Sequence, residues 1–367
     1  MSPAKHIVIV GREYSSSTGT YVKNLINQLQ IIDQQNHYTI IVNKKDENKV
    51  NLFNNSFKLH ITDCRDFSFQ EQIKLPIEIK KLKPDLVHFT MTQQPVLLNL
   101  PVVTTIHDLT TIRFNNPAKN FVIFKFKQLI YKIVIKIVAK KSKLIITPSN
   151  FVKQDLIKYS KISEKKVKVT YESAEFSDKK TNPLKDLIGK DFLLYVGRSN
   201  PHKNLQNLIN AFEIIQRSHP KLLLVLVGRL DQNYLAIKNN LPSTLNNQVI
   251  FTDHVLEHHL NWLYKNALIY VFPSLSEGFG LPGLEAMNFG LPVVSSNSSC
   301  LPEIYQNAAV YFNPLDINDM ANKIIEVIDD SVIREELIKN GYVRLKSFSW
   351  QKMAEKTLSI YLEALNN

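Results

Sequence analysis

Ten short runs of aliphatic and β-branched residues recur along this 367-residue chain, most of them followed by a stretch with helical apolar spacing. The first half contains "HIVIV" (6–10), "YTIIV" (38–42), "LVHF" (86–89), "VVTTI" (102–106) and "KLIIT" (143–147). The second contains "FLLYV" (192–196), "LLLVLV" (222–227), "VIF" (249–251), "LIYVF" (268–272) and "PVVSS" (292–296). Runs that are apolar almost throughout have no wet side. They suit a parallel sheet covered on both faces rather than a half-exposed antiparallel one. Strand–helix alternation then predicts doubly wound α/β architecture. It occurs on both sides of "ESAEFSDKKTNPLKDLIGK" (172–190), which loses periodicity and collects Ser, Asp, Lys, Asn and Pro, so two such domains are expected. Length agrees, since one core rarely serves more than about 250–300 residues. The expected boundaries are 1–175 and 176–348, followed by a helical segment over 349–367.

Two cysteines, Cys64 and Cys300, stand far apart, which fits reduced thiols and offers neither a zinc cluster nor a disulfide framework. "MSPAKHIVIVG" leads straight into a strand, so no secretory signal is read there and a cytoplasmic location is expected. The formal charge of +12 is uneven: residues 1–180 hold 29 of the 45 basic residues and 15 of the 33 acidic ones. That asymmetry points to an anionic partner near the first half (phosphates, a lipid surface or nucleic acid), or to a Lys-rich compositional bias. Between Asp108 and Asp155 there is no acid, and "FVIFKFKQLIYKIVIKIVAKKSK" (121–143) is apolar with periodic lysines. Lys125, Lys132, Lys136, Lys140 and Lys143 fall within about 80° on a helix. The segment is too charged to span a bilayer. It reads either as a basic amphipathic helix on an anionic membrane or as a sheet-packed helix with a wet lysine edge. Its aromatics alternate with aliphatics as a helix core would, so no nucleic-acid partner is expected.

Only ten glycines occur, and four of them, Gly278, Gly280, Gly283 and Gly290, fall in "FPSLSEGFGLPGLEAMNFGLP" (272–292). Others follow strands: Gly11, Gly197 and Gly228, with Gly19 opening the helical "TGTYVKNLINQL". Ligands of parallel sheets bind beyond the carboxyl ends of strands, where glycine lets the backbone approach a phosphate. Two sheets with such loops suggest a cleft between domains. In "YVGRSNPHKNLQNLINAF" (195–212), Arg198 and Lys203 suit a diphosphate; alternatively Arg198 pairs with a nearby carboxylate and Lys203 is solvated. Glu277 and Glu285, on a helix starting near 277 or 280, can accept hydrogen bonds from hydroxyls, or else cap and form salt bridges. Together with the glycines they suit a polyhydroxyl ligand carrying phosphate, of which a nucleotide sugar is an example.

"SEGFGLPGLEAM" resembles the E-x7-E signature of retaining GT-B glycosyltransferases of family 4. "STGTY", "IHDL", "TPSNFVKQDL", "VGRSNPHKN", "LVGRLD" and "SSCLPEI" agree with that family in order over nearly the whole length. The resemblance implies a first, acceptor-side domain, a second domain binding the nucleotide sugar, and a final helix packing back on the first. It implies that Glu277 meets the transferred sugar, Glu285 the ribose, and the amides around Gly278, Phe279, Gly280 and Leu281 the sugar and phosphates. Arg198 and Lys203 would neutralise the leaving diphosphate, Gly19 and Thr20 would approach it, and His107 would sit by the donor sugar. Asp108 would only cap or orient. Many members carry two glycines where this chain has Gly19 alone. The residues that read the base are not legible, although "TDHVLEHHL" (252–260) lies where the family places part of that pocket. Family membership implies retention of configuration. With no close carboxylate pair evident, front-face displacement is expected, in which the departing phosphate oxygen helps take the acceptor proton. No Asp-x-Asp triplet occurs, and no metal or other cofactor is expected. The expected activity is hexosyl transfer, mannose from GDP-mannose, to a glycan or lipid-linked glycan of surface polysaccharide or glycolipid. The alternatives are a nucleotide-sugar epimerase of the same fold and, from another class, a basic nucleic-acid-binding protein.

Overall fold

The computed structural model describes residues 3–16, 18–64, 68–115, 121–174 and 180–366. Its contacts divide the chain into two units. Unit 1 comprises Met1–Ile112, Lys127–Glu172 and Ser349–Asn367; unit 2 comprises Arg113–Phe126 and Ser173–Phe348. The expected boundary at 175/176 lies outside the described residues.

In chain order the first half contains β1 (His6–Val10), α1 (Gly19–Ile32), β2 (His37–Asn43), β3 (Phe57–Thr62), α2 (Phe69–Lys81) and β4 (Leu86–Phe89). There follow β5 (Val102–Thr105), α3 (Thr110–Arg113), α4 (Phe121–Lys141), β6 (Leu144–Thr147), α5 (Asn150–Ser160) and β7 (Val167–Val169). The strands form one sheet in the order β3-β2-β1-β4-β5-β6-β7, every pair parallel. Strand side chains alternate faces, and β1 shows the result. Ile7 and Ile9 join a core with Leu25 and Leu29 of α1, whereas Val8 and Val10 join Leu75 and Ile79 of α2.

The second half contains β8 (Phe192–Val196), α6 (Leu205–Ile215), β9 (Leu223–Val227), α7 (Gln232–Asn239), β10 (Val249–Phe251), α8 (Glu257–Asn266) and β11 (Ile269–Phe272). Then come α9 (Leu281–Asn288), β12 (Val293–Ser296), α10 (Leu301–Tyr305), β13 (Ala309–Phe312), α11 (Ile317–Asp329), α12 (Ser331–Leu345) and α13 (Trp350–Asn366). The sheet order is β10-β9-β8-β11-β12-β13, again wholly parallel. All ten apolar runs are strands. The three strands the sequence did not reveal, β3, β7 and β13, all lie at sheet edges. Half-exposed edges tolerate polar residues, as in "FKLHIT" and "VKV", and so lose the apolar signal.

The final helix, α13, belongs to unit 1, where it lies beside α1 and over β4, β5 and β6. It buries Trp350, Met353, Ala354, Thr357, Ile360, Tyr361 and Ala364. Tyr361 OH lies 2.6 Å from Nδ1 of the fully buried His88 in β4, whose Nε2 lies 2.8 Å from Thr105 Oγ1. Burial, and secondarily the charge of His107, push the His88 pKa down to about 3, so it is a neutral core residue. Among the described residues no helix is long and apolar enough to cross a membrane.

Replacing Tyr361 by Phe keeps the ring but leaves a buried imidazole nitrogen without its partner. Urea denaturation should show a loss of about 1–3 kcal/mol in unit 1 stability. The neutral His88 adds a pH dependence: its contribution is complete above the unfolded value near 6.5 and declines as pH falls from there toward about 3.

Candidate functional site

In unit 2 the chain lays β9 and β10 to one side of β8, then returns to place β11 on the other. That reversal opens a crevice at the carboxyl ends of β8 and β11. The loop after β8 holds Arg198 and Lys203, and the loop after β11 holds Glu277. Lys203 Nζ lies 2.6 Å from Glu277 Oε1, with both side chains largely buried, and 5.8 Å from the centre of the Phe272 ring. The solvated alternative for Lys203 is thereby excluded. Arg198 is exposed, and among the described residues no carboxylate pairs with it. The two loops are joined by one main-chain hydrogen bond and by a side-chain amide. Leu275 N–H donates to His202 O at 2.7 Å, and Asn204 Nδ2 donates to Pro273 O at 3.1 Å and Pro314 O at 2.8 Å. From β9, Asp231 caps α7 and accepts from Ser199 Oγ at 2.9 Å.

Beneath these loops lies a layer of buried tyrosines. Tyr195 OH donates to Arg198 O at 2.8 Å, and Tyr234 OH to Gly197 O at 3.0 Å. Tyr305 OH donates to Gly280 O at 2.6 Å, and Tyr264 OH to Glu285 Oε2 at 3.0 Å. Tyr270 OH reaches Val196 O at 3.4 Å. Burial first, and nearby Glu285 and Glu277 second, hold the Tyr270 hydroxyl well above the usual phenol range. Tyr195, Tyr264 and Tyr305 are raised by burial in the same way. These groups are permanent neutral donors. Each fixes a main-chain or carboxylate oxygen of a segment expected to meet the ligand.

The tyrosines also account for part of the glycine cluster. The helix begins at Leu281, with Gly280 as N-cap at φ 102°, so Glu277 stands in the preceding loop and Glu285 in the helix. A Cβ at Gly280 would lie 2.5 Å from Tyr305 Oη, and one at Gly283 would lie 2.3 Å from it. Packing on Tyr305 therefore demands two of the four glycines, whether or not a ligand approaches. Phe279 is buried edge-on to Phe348, their centroids 5.5 Å apart, while Gly278 and Leu281 are half-buried.

Unit 1 has its own reversal, between β1 and β4. His107 follows β5. Its Nε2 lies 3.0 Å from Thr90 O, at the end of β4, and its Nδ1 lies 3.3 Å from Glu172 Oε1. The edge of the ring meets Tyr21, centroids 4.9 Å apart. Both ring nitrogens face oxygen acceptors, which the imidazolium alone satisfies fully. Burial works against that charge, but Glu172, with smaller contributions from Thr90 O and Asp108, outweighs it and raises the pKa. Asp108 accepts from Thr110 N–H at 2.7 Å, at the start of α3. Gly19 opens α1, where a Cβ would lie 2.3 Å from Tyr14 O, so local backbone packing requires glycine there; Thr20 is half-buried beside it. Glu172 is missing from the residues singled out in the sequence because it lies in the aperiodic stretch read as a linker. His258 and His259, in the run compared with a base pocket, lie with ring centroids 4.4 Å apart and planes tilted by 53°, and His259 Nδ1 contacts Asn182 O at 2.8 Å. Among the described residues no group of three or more His, Cys, Asp or Glu side chains could hold a metal ion.

Glu172→Gln removes the charge opposite His107 and keeps the side chain's size. Wild-type His107 should titrate above about 6.5 in an NMR pH series, and the variant should titrate at lower pH. Identical titration would show that Glu172 does not set the charge of His107.

The chain was compared with known proteins. The family described as glycosyl transferases group 1 matches residues 177–344, and glycosyltransferase family 4 matches residues 18–173. The O-antigen chain mannosyltransferase RfbU of Salmonella typhimurium is 29% identical over 282 residues, covering 76% of this chain and 74% of the relative. The O-antigen chain mannosyltransferase B of Escherichia coli is 28% identical over 60% of each chain, so the match spans less than two thirds of that relative's length. Among solved structures, sucrose-phosphate synthase from Thermosynechococcus elongatus superposes with a TM-score of 0.79 at 20% identity, covering 98% of both chains. With one family matched by each half and the whole chain following a known two-sheet glycosyltransferase fold, this protein belongs to the GT-B glycosyltransferases of family 4.

Proposed function

We propose that the protein transfers a hexose with retention of configuration from a nucleotide sugar to a glycan or lipid-linked glycan during assembly of a surface polysaccharide or glycolipid. Mannose from GDP-mannose is the proposed donor, in keeping with mannosyltransferases among its relatives. The observation that carries the reading is the Lys203–Glu277 pair at the β8/β11 reversal, beside the exposed Arg198. An ammonium has three donors. Lys203 gives one to Glu277 and has others to offer to phosphate oxygens, while Glu277 keeps lone pairs for sugar hydroxyls. Glu285, held by Tyr264, is the proposed acceptor for ribose hydroxyls, and the backbone over Gly278–Leu281 is proposed to face sugar and phosphate. Gly19 and Thr20 are proposed to approach the diphosphate, and His107 to present positive charge to the transferred sugar.

As the bond between the anomeric carbon and the phosphate oxygen breaks, negative charge grows on the diphosphate, and Arg198 and Lys203 stabilise it. In the proposed front-face displacement, the acceptor oxygen forms the new bond on the same face. Its proton passes to the departing phosphate oxygen. The proposed reaction needs no metal, the two cations supplying the counter-charge. The buried, unpaired thiols of Cys64 and Cys300 fit a reducing, cytoplasmic setting.

Thermal melting with GDP-, UDP-, ADP- and dTDP-sugars tests the donor. A ligand at about 100 times its Kd stabilises by about 2.7 kcal/mol, and GDP-mannose should raise Tm by several degrees. A rise with another nucleotide sugar alone would replace the donor and keep the class, whereas no rise with any would overturn the reading. Lys203→Ala and Arg198→Ala should each lower kcat by roughly 100- to 1,000-fold, read as release of nucleoside diphosphate in the presence of acceptor.

A further inference from the structure

We infer that Ser299 is a positioning residue for the reaction: its hydroxyl holds the Glu277 peptide so that the Glu277 carboxylate faces the transferred sugar. The inference rests on the proposed contact between Glu277 and that sugar. Glu277 stands in the loop between β11 and α9, outside the regular bonds of strand and helix. The loop between β12 and α10 takes up both polar groups of its backbone. Glu277 N–H donates to Ser299 Oγ at 3.0 Å, and the Cys300 thiol donates to Glu277 O at 3.3 Å. Cys300 is fully buried. Burial first, then the charges of Glu277 and Glu303, hold its thiol well above the usual range, so it stays protonated and able to donate. With amide and carbonyl fixed by one neighbouring loop and the carboxylate tied to Lys203, the side chain keeps little freedom.

The backbone of Ser299 separates this role from ordinary loop packing. Its φ is 57°, in the left-handed region, where a Cβ crowds the main chain and glycine is at ease. The loop is pinned just before it. Asn297 N–H donates to Phe312 O at 2.9 Å, and Ser298 N–H donates to the buried Ser296 Oγ at 3.0 Å. On the other side of the ion pair, Asn204 directly follows Lys203 with φ 61° and donates to Pro273 O at 3.1 Å. Two left-handed residues thus bracket Lys203 and Glu277, each with its side chain bonded to the β11–α9 segment. Asparagine tolerates that conformation readily, serine much less so. Strain of this kind persists where the side chain supplies something glycine lacks. Here that is the one acceptor for the Glu277 amide.

The test replaces Ser299 by glycine, which removes the acceptor and relieves the strain together. Ser299→Gly should melt at or above the temperature of the parent chain. Titration calorimetry then compares GDP with GDP-mannose, or the nucleotide and nucleotide sugar that the melting screen puts in their place. GDP should bind Ser299→Gly as it binds the parent, since Arg198 and Lys203 remain. GDP-mannose should bind about tenfold more weakly, the worth of one hydrogen bond. Glu277→Ala should weaken GDP-mannose by about ten- to a hundredfold. Adding Ser299→Gly to it should change that by no more than about twofold, because the serine acts through Glu277. Parental affinity for GDP-mannose in Ser299→Gly, equal weakening of GDP and GDP-mannose, or a full further tenfold loss in the double variant would overturn the inference and leave the reading of Glu277 standing. Parental affinity for GDP-mannose in Glu277→Ala would overturn that reading and the inference with it.

Discussion

A sheet whose strands all run the same way cannot be built from hairpins. Each strand must be followed by a crossover that lies on one face or the other, so both faces are buried and every carboxyl end opens into a loop on the same edge. The rest of this molecule follows from that constraint. It makes the strands apolar nearly throughout, and it gathers Arg198, Lys203 and Glu277 at one reversal of strand order and His107 at the loop edge of the other sheet. It also leaves a face of the first sheet that the crossovers alone do not cover and that α13 fills.

The loops at those ends carry little regular structure, yet they are held firmly from below. Tyrosine serves here because it fills a core like an apolar ring while keeping one donor at its tip. Tyr195, Tyr234 and Tyr270 reach the ends of β8, and Tyr264 and Tyr305 reach the β11–α9 segment. In a buried setting such bonds are strong, and leaving one unmade is costly. The orientation of the loops is thus set by the core before any ligand arrives, which is what electrostatic stabilisation of a leaving group requires. Two histidines of unit 1, the buried His88 and the partly exposed His107, respond to their surroundings in opposite senses. His88 meets only hydroxyls and is neutral, whereas His107 meets a carboxylate and a carbonyl and favours the cation.

Both sheets were legible because buried strands write themselves as apolar runs. Edge strands such as "VKV" did not register, being shaped by solvent as much as by the core. Arg198, Lys203 and Glu277 in the loops and Glu285 in α9 stood out through charge set among glycine and apolar neighbours, and the structure brings Lys203 and Glu277 into contact. Glu172 did not stand out, because its partner is 65 residues earlier and no local pattern joins them. The tyrosines were visible only as apolar letters, although Tyr195 and Tyr270 sit in runs where a hydroxyl needs an acceptor. The glycine cluster was legible for position but only partly for cause: Gly280 and Gly283 answer to Tyr305, a contact no spacing announces.

The place of α13 has a consequence for the order in which the protein comes into being. Residues 350–366 complete the core of unit 1, yet the ribosome reaches them only after all of residues 180–348. At about 5–20 residues per second that interval is on the order of ten seconds or more. Throughout it the nascent N-terminal sheet exposes Ile146, Leu144 and Val103 to water, and by its end the later half has every strand and helix it needs. The unit that comes second in the sequence is therefore the first able to finish folding, and the first must wait, one side bare, for the tail of its own chain.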